Sequence, residues 1–301
     1  MGRALADSFP AARLVFEEVD AALGAALTRT MWEGPAEELT LTENAQPALM
    51  AVSVAAVRVL EAEAGLDLGR HAQFVAGHSL GEYSALAAAG ALTLADTARL
   101  LRLRGQAMQR AVPVGEGAMA AIIGLELAEA TAAAEEAAQG GVCQVANDNG
   151  VGQVVLSGSK AAVERGAEIA KAKGAKRAIM LPVSAPFHCA LMQPAADAMA
   201  EALAGVIVSP PVVPVVANVL ARPIQDPAEI IRCLIQQVTA TVRWRESVAF
   251  MAETGVSVFY EAGAGKVLSG LVKRIAAGAT AMSIGTPEDV AAYVTSREPG
   301  P

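Results

Sequence analysis

The sequence predicts an α/β protein in which a small β-α-β-β-α-β unit interrupts a larger domain built on a parallel sheet. Three observations predict it. Helical and strand-like runs alternate towards both ends of the chain, as parallel strands joined by helices require. Between residues 114 and 184 the order changes to strand, helix, strand, strand, helix, strand. The 301 residues suffice for one large domain with a smaller one inside it.

Helical periodicity dominates the first part, with an amphipathic helix near 11–24 and a longer, more apolar one near 44–65. A short apolar strand near 72–77 follows, then a run of good helix formers after Gly81 that closes at Gly90. The next helix runs from Thr93 to about residue 112, with Asp96 favourably placed near its N-terminus. In the small unit, strands are predicted at 118–123, 142–146, 152–156 and 175–183, and helices at 127–138 and 160–173. The turn Asn147-Asp148-Asn149-Gly150 separates its two middle strands, and the order is that of a ferredoxin-like unit. The chain leaves and returns through Pro113 and Pro186. Beyond it come a helix near 190–204, a strand near 212–217, helices near 226–237 and 244–254, and a strand at 256–260. Gly263-Ala264-Gly265-Lys266 opens another helix, and a last strand and helix close the chain.

Composition narrows the class. With 53% apolar and 18% charged residues the chain is globular, and its net charge of −8 argues against nucleic acid or an anionic membrane as main partner. Cys143, Cys189 and Cys233 form no C-x-x-C pair, so buried inert thiols are expected, with neither a disulfide framework nor a zinc site. The N-terminus shows no secretion signal, and the apolar stretch 206–220 is broken by prolines and too short to span a bilayer. A cytoplasmic protein is expected.

Gly77-His78-Ser79-Leu80-Gly81 carries the chemistry. It fits the G-x-S-x-G nucleophile elbow, in which serine sits at the apex of a tight strand-to-helix turn. The pentapeptide alone is a weak signal, and an ordinary turn is the alternative reading. Here a strand precedes it and a helix follows, as the elbow requires. That helix also aims free N–H groups at any negative charge formed beside Ser79.

A nucleophilic serine needs a base, and the chain has only three histidines. His78 adjoins Ser79 and cannot easily fold back on it, while His71 lies at the far end of the elbow strand. His188, in Ser184-Ala185-Pro186-Phe187-His188, returns from the small unit at a junction where clefts form. No acidic residue stands out as its orienting partner. A backbone carbonyl would serve, and the helix near 226–237 ends in free carbonyls at Gln236-Gln237, but spacing alone does not select Gln237.

Arg104 has Leu100, Leu101, Ala107 and Met108 as helical neighbours, so it projects from an apolar stripe and should be buried. A buried guanidinium requires an anion. A substrate carboxylate held by a bidentate fork and an internal pair with a distant glutamate both satisfy that. Gly263-Ala264-Gly265-Lys266 fails the phosphate-loop pattern at Tyr260 and Val267, and tight packing at a helix start is the simpler reading. Lys171, Lys173, Lys176 and Arg177 read as a solvated face that could dock an acidic partner.

Gly77-His78-Ser79-Leu80-Gly81-Glu82-Tyr83, Arg104-Gly105, Pro186-Phe187-His188-Cys189 and Gly263-Ala264-Gly265-Lys266, in this order, closely resemble the malonyl-CoA:acyl carrier protein transacylases of type II fatty acid synthesis. The resemblance covers essentially the whole chain and extends to acyltransferase domains of modular synthases. It implies an α/β-hydrolase-like core at 1–113 and 185–301 with a ferredoxin-like subdomain at 114–184. It assigns Ser79 as acyl carrier, His188 as base, the Leu80 N–H as oxyanion donor, Arg104 as clamp for the malonyl carboxylate and the Gln237 carbonyl as the group orienting His188. The implied partners are malonyl-CoA and acyl carrier protein, with no cofactor or metal of the protein's own, and a monomer is expected. A serine thioesterase or carboxylesterase is the alternative activity.

One departure stands out. The family opens with a buried strand and a Gly-Gln-Gly-Ser-Gln loop ahead of the segment matching Met1 to Leu5, and this chain starts after that loop. The resemblance implies loss of a second oxyanion donor, an effect of about 10²–10³ in kcat, and of one interior strand. A start codon assigned too late is the preferred explanation; a naturally impaired carrier-binding form is the other.

Overall fold

The computed structural model describes residues 1–150 and 152–297. Apolar residues at helical spacing make Thr42–Ala64 the longest helix, with Met50, Val54, Ala55 and Val59 fully buried. It is the one helix among the described residues long and apolar enough to cross a membrane, yet it packs against Pro10–Leu23 and Leu94–Ala111 as a core helix does. Leu94–Ala111 starts where predicted, the Thr93 hydroxyl accepting the Asp96 N–H at 3.0 Å. Three short helices, Arg3–Ser8, Leu27–Glu33 and Ala36–Thr40, carry too few turns to show a period in sequence.

The elbow strand β1 is only Val75–Ala76. The small unit contributes β2 (Gly117–Ile123), β3 (Cys143–Asp148), β4 (Gln153–Ser159) and β5 (Arg177–Met180), an antiparallel sheet in the order β3-β4-β2-β5. Its helices Leu127–Ala138 and Lys160–Ala172 bury Ala130, Ala134, Val163 and Ala167 against Ile122 and Leu156, a core separate from that around Thr42–Ala64. This is the ferredoxin-like unit the element order predicts. Strand β3 runs two residues into the predicted turn because Asn147 and Asp148 pair with Val155 and Val154 of β4, and the same two residues bridge to Val242 of the large unit. The ion pair of Arg245 with the buried Asp148 carboxylate, at 2.8 Å, pins the same joint.

The parallel sheet of the large unit is present in two pieces. Strand β1 pairs in parallel with β6 (Val215–Val216), which continues antiparallel to β7 (Pro223–Ile224); β8 (Val258–Ala262) pairs in parallel with β9 (Thr280–Ile284). No ladder joins the pieces among the described residues. Between them lies a cavity of about 480 Å³, lined by Val75, Ala76, Trp244, Phe259 and Ala262. The large unit's strands are accordingly shorter than expected at 72–77 and 212–217.

Candidate active site

Ser79 lies between β1 and the elbow helix Leu80–Ala88, with φ 53° and ψ −112°. A non-glycine residue held there stores roughly 1–3 kcal/mol of strain, so its surroundings must fix it. The turn closes because Gly77 and Gly81 touch: a Cβ on Gly77 would lie 2.0 Å from the Gly81 carbonyl. Gly81 N–H bonds the His78 carbonyl and Glu82 N–H bonds the Ser79 carbonyl. The Leu80 N–H, first in the helix, has no partner among the described residues, and Leu80 lines the cavity beside Ser79.

The structure brings His188 to Ser79. Its Nε2 is 2.8 Å from Ser79 Oγ and its Nδ1 is 2.8 Å from the Gln237 carbonyl oxygen. The carbonyl can only accept, so Nδ1 carries the hydrogen and Nε2 is free to take the serine proton. Gln237 presents that carbonyl as the last residue of helix Pro227–Gln237, where the ladder has run out. Burial, and then the nearby Arg104 charge, push His188 down to about 3, so the imidazole is neutral at physiological pH.

Arg104 is 1% exposed, as its apolar stripe predicts. No carboxylate pairs with it directly among the described residues. Nη1 donates to Gln46 Oε1 at 2.7 Å, and Nη2 donates to Gln237 Oε1 at 2.8 Å and to Ser79 Oγ at 3.0 Å. Its Nε has no partner among the described residues. Glu82 lies one amide away, accepting from Gln237 Nε2 at 2.7 Å, so the expected internal ion pair is not made directly. Glu82 is buried, which raises its carboxyl to about 7 against the pull of Gln237, Asn218 and Arg104.

Ser79, Leu80, Arg104 and His188 share a cavity of about 240 Å³ with Gln46 and the apolar Met119. The larger void between the sheet pieces is lined by none of Ser79, His188 or Arg104, so the candidate site is the smaller one. A carboxylated acyl group fits its make-up: one cation at the base, a hydroxyl and imidazole beside it, and apolar walls.

The other candidates have positions or partners of their own. His78 Nε2 is bonded to Asn149 Oδ1 at 2.8 Å, and His71 Nδ1 accepts from Asp67 N–H at 3.0 Å, so neither reaches Ser79. The helix opened by Gly263 to Lys266 has its Leu268 and Ser269 N–H groups capped by the Glu261 carboxylate, which leaves no phosphate cradle. Lys171 and Lys173 pair with Glu168 and Glu136. The three cysteines are free and buried. Among the described residues no group of three or more His, Cys, Asp or Glu is placed to hold a metal ion.

Sequence reasoning missed Gln46, Glu82 and the side chain of Gln237. The available signal was a polar residue in an apolar run, as Gln46 is at the start of the long helix and Glu82 on the elbow helix.

Residues 1–290 match the acyl transferase domain family. The chain is 48% identical over 291 residues to the malonyl CoA-acyl carrier protein transacylase of Salmonella typhimurium, covering 97% of this chain and 93% of that protein. Its fold is similar to the crystal structure of the acyl-carrier-protein-S-malonyltransferase from Bartonella henselae, with a TM-score of 0.95 and 55% identity over 98% of this chain and 94% of the other. It is likewise similar to a malonyl-transacylase solved in complex with a type II PKS acyl-carrier protein, with a TM-score of 0.94 and 43% identity over 99% and 95% of the two chains.

Proposed function

The chain belongs to the acyl transferase family, and from that premise we propose that it moves the malonyl group from malonyl-CoA to the phosphopantetheine thiol of acyl carrier protein, in fatty acid biosynthesis. The observation that carries the reading is a buried, carboxylate-free Arg104 within 3.0 Å of a serine hydroxyl already bonded to a neutral histidine.

In the reaction as proposed, Ser79 Oγ attacks the thioester carbonyl while His188 Nε2 takes its proton. The imidazolium keeps its Nδ1–H on the Gln237 carbonyl, and the Leu80 N–H donates to the oxyanion. Collapse breaks the C–S bond, and CoA leaves as a thiol with the proton from His188. The carrier's thiol then gives its proton to His188 and attacks the malonyl-Ser79 ester, which returns the proton to Oγ. Arg104 binds the free malonyl carboxylate through the unpartnered Nε and through the Nη2 hydrogen that Ser79 Oγ holds before acylation. Neutralising that cation removes one of the effects that depress His188, so the substrate itself raises the basicity of its catalyst. The step as written uses no cofactor of the protein's own. We further propose the division of 1–113 and 185–301 from 114–184, which sets the cavity where the two parts meet.

Incubation with isotopically labelled malonyl-CoA, followed by peptide mapping, tests this. Label on Ser79 that passes to a phosphopantetheine thiol faster than to water supports transfer. Label elsewhere overturns the assignment, and faster loss to water makes the protein a thioesterase.

A further inference from the structure

We propose that Asn218 is a positioning residue for the nucleophile, its side-chain amide holding the strained elbow with Ser79 turned towards the cavity. Asn218 follows β6, is fully buried, and spans the turn from below. Its Oδ1 accepts the Ser79 N–H at 2.7 Å and its Nδ2 donates to the Gly77 carbonyl at 2.7 Å. One planar amide therefore ties the residue before the elbow to the residue at its apex. The orientation is unique, because a flipped amide would face donor to donor and acceptor to acceptor.

The clamp is itself held. Its backbone N–H donates to Glu82 Oε2 at 3.1 Å and its carbonyl accepts the Arg243 N–H at 3.0 Å. These contacts come from the elbow helix and from the start of helix Trp244–Glu253, so the amide is fixed against elements on both sides. The consequence for chemistry is a division of labour between adjacent amides. The Ser79 N–H is committed to Asn218, while the Leu80 N–H is left for the oxyanion. Without the clamp, Ser79 can relax to ordinary backbone angles, and Oγ swings away from His188 Nε2.

The test is Asn218→Asp, because a protonated carboxyl copies the amide and an ionised one does not. Protonated, it accepts from Ser79 N–H and donates to the Gly77 carbonyl. Ionised, it sets an oxygen anion against that carbonyl. The titratable and charged groups around it are Glu82 on the elbow helix, Arg104 across the Gln237 amide, His188 and His78 beside Ser79, and Arg243. Without substrate His188 is held down to about 3, whereas Glu82, at about 7, titrates inside the window in variant and unmutated protein alike, so the rate is read as the ratio of the two.

The readout is the ratio of variant to unmutated rate for malonyl loading of Ser79, from about pH 5 to pH 8. At pH 8 a displaced nucleophile lowers the ratio by about 10²-fold. Acidification should restore it by tenfold or more, a recovery that a misfolded protein does not show. Asn218→Ala should give a low ratio that is flat with pH, with KM for malonyl-CoA within about twofold of the unmutated value. A flat ratio for Asn218→Asp, or an undiminished rate for Asn218→Ala, overturns the proposal. The malonyl readout rests on the function proposed above, so a fluorophosphonate, which reacts with an activated serine without any acyl donor, is run in parallel. If the fluorophosphonate follows the same pH ratio while no variant takes up malonyl, the positioning role stands and the proposed activity falls.

Discussion

Glu82 and Arg104, both buried beneath Ser79, are joined through the side-chain amide of Gln237. Its Nε2 lies 2.7 Å from the carboxylate and its Oε1 lies 2.8 Å from the guanidinium. The amide passes part of the counter-charge to the arginine while leaving its Nε without an acceptor. A direct ion pair would satisfy Arg104 and remove its reason to bind a second carboxylate.

Arg104→Ala should therefore shift preference from malonyl towards uncharged acyl thioesters, by roughly 2–5 kcal/mol in relative kcat/KM. Competition between malonyl-CoA and acetyl-CoA measures it. Equal use of the two by the unmutated protein would sink the clamp assignment.

Gln46→Ala removes the acceptor at 2.7 Å from Arg104 Nη1 without touching Ser79 or His188. A buried charged donor left unpaired costs roughly 1–3 kcal/mol. KM for malonyl-CoA should rise by about tenfold with kcat changed less than about threefold. Steady-state kinetics decide, and an unchanged KM removes Gln46 from the site.

Stability should depend on pH through opposing groups. His78 and His188 are both lowered from 6.5 by burial, so below that pH the unfolded chain binds the extra protons and stability falls with acid. Glu82 is raised from 4.5 to about 7, so the folded chain holds a proton that the unfolded chain has lost. Its contribution is present below about 4.5 and is lost as pH rises through 7. Glu82→Gln should then steepen the rise of stability with pH between about 4.5 and 7, by at most roughly 1 kcal/mol per pH unit. Urea unfolding at stepped pH reads the slope; parallel curves for the two proteins contradict the account.

Gly105 is where the arginine's helix meets the long helix, and a Cβ there would lie 2.4 Å from Glu43 Cα. Gly105→Ala should cost about 1–3 kcal/mol by overpacking. It should also raise KM for malonyl-CoA, since forcing the helices apart separates Arg104 from Gln46. A urea midpoint and KM both unchanged would show the crossing to be looser than described.

Ser79 was legible because a motif with fixed flanks dictates it, and His188 because two rivals could be eliminated on position alone. The burial of Arg104 was legible from its helical neighbours. Its partners were not, for they come from 58 positions upstream and 133 downstream, and no local period encodes such a meeting. Glu82 was hidden for another reason: on an exposed helix the same residue would be an ordinary solvated charge. The ferredoxin-like unit was readable because each strand spans its own apolar run. The large unit's strands were overestimated because what extends a strand is a neighbour to bond with, and β1 has β6 on one side only.

The void between β1 and β8 gives the molecule an unusual clock. Deep amides normally exchange their hydrogens only when the whole fold opens. Here the rims that face the gap lack a ladder among the described residues, so their exchange reports on solvent entering a fissure rather than on global unfolding. Amides on the rim of this void are thus expected to take up deuterium before those of the β1–β6 ladder that leads into the Ser79 turn.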